Sequence, residues 1–183
     1  MRAALAALCA VLVGALGAGC GSSAEPPAWV PTLSAAAVAY LPSAHKSLTA
    51  TFLTREAQTP DLAAKLRGWG FAAGAERYFQ GESKRLQVVD SRTLRFRRAA
   101  GAAAYVAFMR SHLGAVLGSF PQVHRFAAGS RRGILAVGQA CRCHLANPSL
   151  LAVVARGATV SWLEINGPGA TRRRLTALLA RAP

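Results

Sequence analysis

The densest run of potential ligands and nucleophiles in the chain is Cys141-Arg142-Cys143-His144. Its spacing is one residue short of the Cys-x-x-Cys-His used for covalent haem, and short of the thioredoxin-type redox pair. A Cys141–Cys143 disulfide would close a very small, strained and easily reduced ring. Arg142 and His144 favour thiolate over thiol, which raises reactivity. A soft metal such as Cu(I) or Zn²⁺ could use Cys141, Cys143 and His144, but a structural zinc site wants four ligands. His45, His112 and His124 are the remaining histidines, and spacing selects none of them. The run therefore reads first as a structural disulfide or two partly buried thiols before Pro148. Thiol-redox or soft-metal handling is the alternative, and no metal cofactor is expected.

Carboxylates are scarce, 7 against 22 Lys+Arg, so a paired-carboxylate hydrolase is hard to build. In Trp162-Leu163-Glu164-Ile165-Asn166, strand alternation puts Val160, Trp162 and Glu164 on one face and Leu163 and Ile165 on the other. A carboxylate beside tryptophan could serve as an acid or base. With so many arginines present, an ion pair on the sheet face is the expected use. Glu76 beside Arg77 and Asp90 beside Arg92 read the same way. No Gly-x-Ser-x-Gly elbow marks a serine nucleophile. Gly68-Trp69-Gly70-Phe71 with Gly74 matches no phosphate loop and reads as a tight helix-to-strand turn plugged by its aromatics. No catalytic residue is assigned, and the chain reads as more a binder than an enzyme.

The net charge is +15, and the bases cluster at Lys84-Arg85, Arg95–Arg98, Arg131-Arg132 and Arg172–Arg174. Only three bases are lysine, Lys46, Lys65 and Lys84, an arginine bias that a high-GC genome would also produce. Whatever its origin, such a charge attracts anionic surfaces, with screening over about 10 Å near 0.1 M salt. Arg172, Arg173 and Arg174 begin a predicted helix, where they oppose its dipole unless an anion lies nearby. With Arg131 and Arg132 they are the candidate anion-binding residues.

The first stretch, MRAALAALCAVLVGALGAGC, sets the compartment. Arg2 is a short positive n-region, and Ala3–Leu16 is an uncharged apolar run. It is shorter than the roughly 20 residues that span a bilayer, and it has secretory flanks. Leu16-Gly17-Ala18-Gly19-Cys20 resembles the lipobox of bacterial lipoproteins, in the permissive form that accepts Gly17 where a larger apolar residue is usual. The resemblance covers the start of the chain alone; the remainder resembles no family of known activity. It implies a signal peptide over 1–19 and a mature chain that begins at Cys20. It further implies diacylglycerol and a further acyl chain, palmitate among them, on that cysteine. A secretory cut after Ala24 is the alternative. The partner implied is the membrane, through the lipid anchor at its extracytoplasmic face, with anionic lipid or envelope polymer within reach. Export argues against nucleic acid.

The elements that must position these residues follow from periodicity. Gly21–Pro31 is a small-residue, proline-rich tether, so 20–31 reads as lipidated cysteine plus tether and 32–183 as one domain. Ser34–Leu41 predicts a short helix, and Ser47–Glu56 fits helix or strand. Thr59-Pro60-Asp61 starts a helix, with Thr59 as N-cap, that carries Leu62 and Leu66 to Gly68. Glu76–Gln80 and Leu86–Phe96 read as strands, the second irregular at Asp90-Ser91 and basic on one face. Ala99–Leu117 is the longest helix. Val123–Phe126 and Gly133–Val137 flank a turn over 129–133, and Leu150–Ala155 and Thr159–Ile165 flank Arg156-Gly157-Ala158. Thr171 caps a last helix with Leu175, Leu178 and Leu179. The fold expected is α+β: an antiparallel sheet of about five to six strands, with the long helix and the C-terminal helix on one face. The function expected is a lipid-anchored extracytoplasmic binding or sensing domain for an anionic ligand or surface.

Overall fold

The computed structural model describes residues 44–56, 59–80, 86–117, 122–140 and 147–182. These form β1 (Ala44–Leu48), α1 (Ala50–Glu56), α2 (Leu62–Gly68), β2 (Phe71–Gln80), β3 (Val88–Phe96), α3 (Ala99–Leu117), β4 (Gln122–Ala128), β5 (Arg131–Ala140), β6 (Asn147–Arg156), β7 (Thr159–Asn166) and α4 (Arg172–Leu179). The seven described strands make one antiparallel sheet in the order β1-β2-β3-β7-β6-β5-β4. After β3, α3 carries the chain to the far edge of the sheet. The meander β4–β7 then walks back to pair with β3.

The α+β class and the antiparallel sheet agree with the sequence reading, but the sheet has more strands than the five or six expected. β1, Ala-His-Lys-Ser-Leu, carries little strand pattern of its own, and Ser47–Glu56 divides between a strand and a helix. The larger correction concerns the helices, which cover both faces of the sheet. Leu151, Val153, Val160 and Trp162 pack with Leu94, Ile134 and the α3 side chains Tyr105, Met109 and Leu113. Leu150, Ala152, Val154, Leu163 and Ile165 point the other way, onto Leu175, Leu178 and Leu179 of α4. An unbroken apolar run such as Leu150–Val154 serves a strand buried on both sides.

Local signals explain most element ends. Thr171 caps α4, its Oγ1 accepting from the Arg174 amide at 3.2 Å. At α2 the N-cap is Asp61, not Thr59, and its carboxylate is held by Lys65 instead of capping the amides. The β2–β3 irregularity falls between Phe71 and Ala73, while Asp90 and Ser91 stay in regular register with Tyr78 and Arg77. The β4–β5 turn is only Gly129-Ser130, with Gly129 at φ 61°, so Arg131 and Arg132 belong to β5. Gly101 lets α3 approach the α2–β2 turn: a Cβ there would meet the Trp69 carbonyl oxygen at 1.9 Å. Trp69 then packs on Phe108 at 5.7 Å and Tyr105 at 6.5 Å between ring centres. No described helix is long and apolar enough to cross a membrane.

Candidate functional site

Two polar regions lie on the α3 side of the sheet. The first is at its centre. Cross-strand register sets Glu76 beside Arg92, Arg92 beside Trp162, Tyr78 beside Asp90 and Asp90 beside Glu164. Arg92 is the hub. Its Nε lies 2.8 Å from Glu76 Oε1, and its Nη2 lies 2.8 Å from Asp90 Oδ2. Its Nε also donates to Asp90 Oδ2 at 3.0 Å, and its Cζ sits 4.7 Å over the Trp162 ring. Glu76, Asp90 and Arg92 are all buried. The expected ion pairing is present, but Glu76 uses cross-strand Arg92. Glu164 is half-buried and accepts from Ser149 Oγ at 3.0 Å. Burial raises the Tyr78 hydroxyl pKa above its ordinary value, and the Asp90 and Glu164 carboxylates push the same way. Both buried carboxylates pair with the Arg92 guanidinium, and a buried charge paired in this way is a structural arrangement.

The second region is a groove of about 710 Å³ between α3 and the β4–β5 edge. Ala103, Val106, Ala107, Arg110 and Ser111 form the helix wall, and Arg125, Phe126, Arg132, Gly133 and Ile134 the sheet wall. Positions 103, 107 and 110–111 recur at helical spacing on one face. Arg125 stands opposite Ile134, and Arg132 opposite Ala127. Arg125 and Arg132 are therefore diagonal neighbours on one sheet face, about 7 Å apart by sheet geometry. Arg110, Arg125 and Arg132 are exposed. Arg132 Nη1 donates to the Gly129 and Arg131 carbonyls at 2.6 and 3.1 Å. None of the three pairs with a carboxylate among the described residues. The sequence explains why: from Ser91 to Leu163 it holds ten arginines and no Asp, Glu or Lys. Asp61, Glu76, Asp90 and Glu164 are each engaged elsewhere.

The remaining candidates are dispersed. Arg131 is buried; its Nη2 donates to the Ala182 carbonyl just beyond α4. Burial lowers its pKa from the ordinary arginine value, and Arg156 adds to the effect. Arg131 thus ties down the C-terminal end of α4, where a cation also complements the helix dipole. Arg172 reaches the edge strand from the α4 side, its Cζ 5.6 Å over the Phe126 ring. Arg174 Nη1 donates to the Gly169 carbonyl at 3.2 Å, and Arg173 is exposed. Only Arg132 of the predicted set lies in the groove. Arg110 and Arg125 escaped the sequence reading because each stands alone in the chain. The available signals were the spacing of Arg110 with Val106 and the long stretch without acid.

Cys20, Cys141, Cys143, His144 and the Lys84-Arg85 pair lie outside the described residues. His112 stacks on Phe108 with ring centres 4.2 Å apart, and His124 is exposed on β4. Among the described residues no three His, Cys, Asp or Glu side chains gather to hold a metal.

No protein-family model matches the chain, and no curated protein does. Among solved structures it is similar to the extracellular domain of PknH from Mycobacterium tuberculosis. The TM-score is 0.43 and the identity 11%, over 76% of this chain and 77% of that one. At that distance the likeness says nothing of ligand or activity.

Proposed function

We propose that this chain is a lipid-anchored extracytoplasmic domain of the bacterial cell envelope that binds an anionic ligand or surface. The observation that carries the binding half is the groove: Arg110, Arg125 and Arg132 converge on one cleft with no described carboxylate to neutralise them. Guanidinium groups present planar forks that match phosphate and carboxylate oxygens. A low-dielectric floor, supplied here by Val106 and Ile134, strengthens such contacts. The anchoring half is supported by Leu16–Cys20 and the tether that follows. Two acyl chains hold a protein stably at a membrane, at about 0.8 kcal/mol per buried CH₂.

Intact mass of the membrane-extracted protein tests the address. A mass for Cys20–Pro183 plus acyl groups is expected, and a mass beginning at Glu25 contradicts the anchor. Retention on an anionic support at low salt, lost as salt rises, tests the binding.

A further inference from the structure

We propose that the groove between α3 and the β4–β5 edge takes an amphiphilic phosphate ester, its phosphate on Arg110, Arg125 and Arg132 and its alkyl part along the apolar floor. This rests on the anionic-ligand reading and narrows it. Size is the first argument. A cleft of about 710 Å³ holds about two dozen waters at roughly 30 Å³ each and lies in the range of organic-ligand sites. An inorganic phosphate would fill a corner of it.

Lining chemistry is the second argument. Along the helix wall the residues run Ala103, Val106 and Ala107, then Arg110 and Ser111. Apolar groups thus give way to polar ones over about 10 Å of helix at 1.5 Å per residue. The sheet wall adds the Ile134 side chain, from the α3-side core, to the apolar part and Arg125 and Arg132 to the basic part, while the Phe126 ring turns to the α4 face. Repulsion points the same way. Diagonal arginines on one sheet face oppose each other, and a bound dianion between them would reverse the sign of that contribution.

A phosphate ester with a short alkyl chain could come from a membrane lipid or from a soluble metabolite, and the chemistry of recognition is shared. The test uses the mature chain held in neutral phosphatidylcholine nanodiscs, titrated by calorimetry at low salt against empty discs. Hexyl phosphate is expected to bind at least tenfold more tightly than inorganic phosphate, a factor that burial of about two methylenes supplies. Exchanging Arg110, Arg125 and Arg132 together for glutamine is expected to weaken hexyl phosphate more than tenfold. The exposed pair Ala103→Gln and Ala107→Gln is expected to weaken hexyl phosphate and leave inorganic phosphate unchanged.

Equal affinity for the two phosphates overturns the amphiphile while leaving the anionic reading intact. Failure of both to bind overturns both. Binding that survives the triple arginine exchange overturns the site. Phosphatidylglycerol vesicles that displace hexyl phosphate support the proposal with a membrane lipid as source, and vesicles that leave it bound support it with a soluble ester.

Discussion

At the centre of the sheet Arg92 meets Glu76 and Asp90 at 2.8 Å each under a tryptophan ring, and all three charges are buried. At the β4 edge Arg110, Arg125 and Arg132 meet no described carboxylate and face an open groove. The same residue type does opposite work in the two places. In the centre, arginine neutralises buried carboxylates, and the strands must hold register for it to do so. At the edge, arginine carries its charge into an open groove with no described carboxylate against it. The difference follows from where a basic protein spends its few acids. Of the described acids, Glu76, Asp90 and Glu164 sit at buried or half-buried positions of the sheet and Asp61 is exposed beside Lys65. The buried ones take the cation, because an uncompensated buried charge is far more costly than an exposed one.

The largest expected effect breaks the centre. Arg92→Met leaves two buried carboxylates without their cation and should cost about 3–5 kcal/mol in urea unfolding. Adding Glu76→Leu and Asp90→Leu to that variant should recover most of the loss. A triple variant as unstable as the single one would mean that the cluster acts through packing.

Next in size is Gly101→Ala, which drives a Cβ into the Trp69 carbonyl. It should cost about 1–3 kcal/mol, as other forced insertions do. It should also weaken groove binding, because α3 is the groove's helix wall. A smaller effect is pH-dependent. Tyr78 has a raised pKa in the folded state, from burial first and from Asp90 and Glu164 next. Its contribution is fully present below the ordinary tyrosine value near 10 and is lost as pH rises through the folded value. Stability measured from pH 9 to 11 should therefore fall, and Tyr78→Phe should flatten the fall. Least of all, Arg110→Gln or Arg125→Gln should move stability by no more than about 0.5 kcal/mol each, as exposed substitutions do. A larger loss would make those side chains structural.

The long helix was legible because Ala99–Leu117 is an alanine-rich run with apolar residues at helical spacing and no proline. The hairpins were legible from Gly129 and Gly157 at their turns. The start of β2 was not, because Phe71-Ala-Ala-Gly-Ala has little strand preference of its own. Tertiary packing decides it: a Cβ on Gly74 would lie 2.9 Å from both Leu48 and Leu94. The second helix layer was hidden in plain view, in the two-sided apolar run of β6. The Glu76–Arg92 pair depends on register between strands, which local spacing does not carry. The groove was half legible, since Arg132 stood in a visible cluster while Arg110 and Arg125 are brought to it only by the α3 crossover and the β4 edge.

Amide and arginine side-chain NMR shifts during a phosphate titration test the contrast most directly. Salt-sensitive shifts are expected in α3 around Arg110 and at the β4–β5 edge around Arg125 and Arg132 alone, with Arg92 and its neighbours unmoved. Shifts centred on Arg92, or a groove that stays silent at low salt, would contradict that contrast.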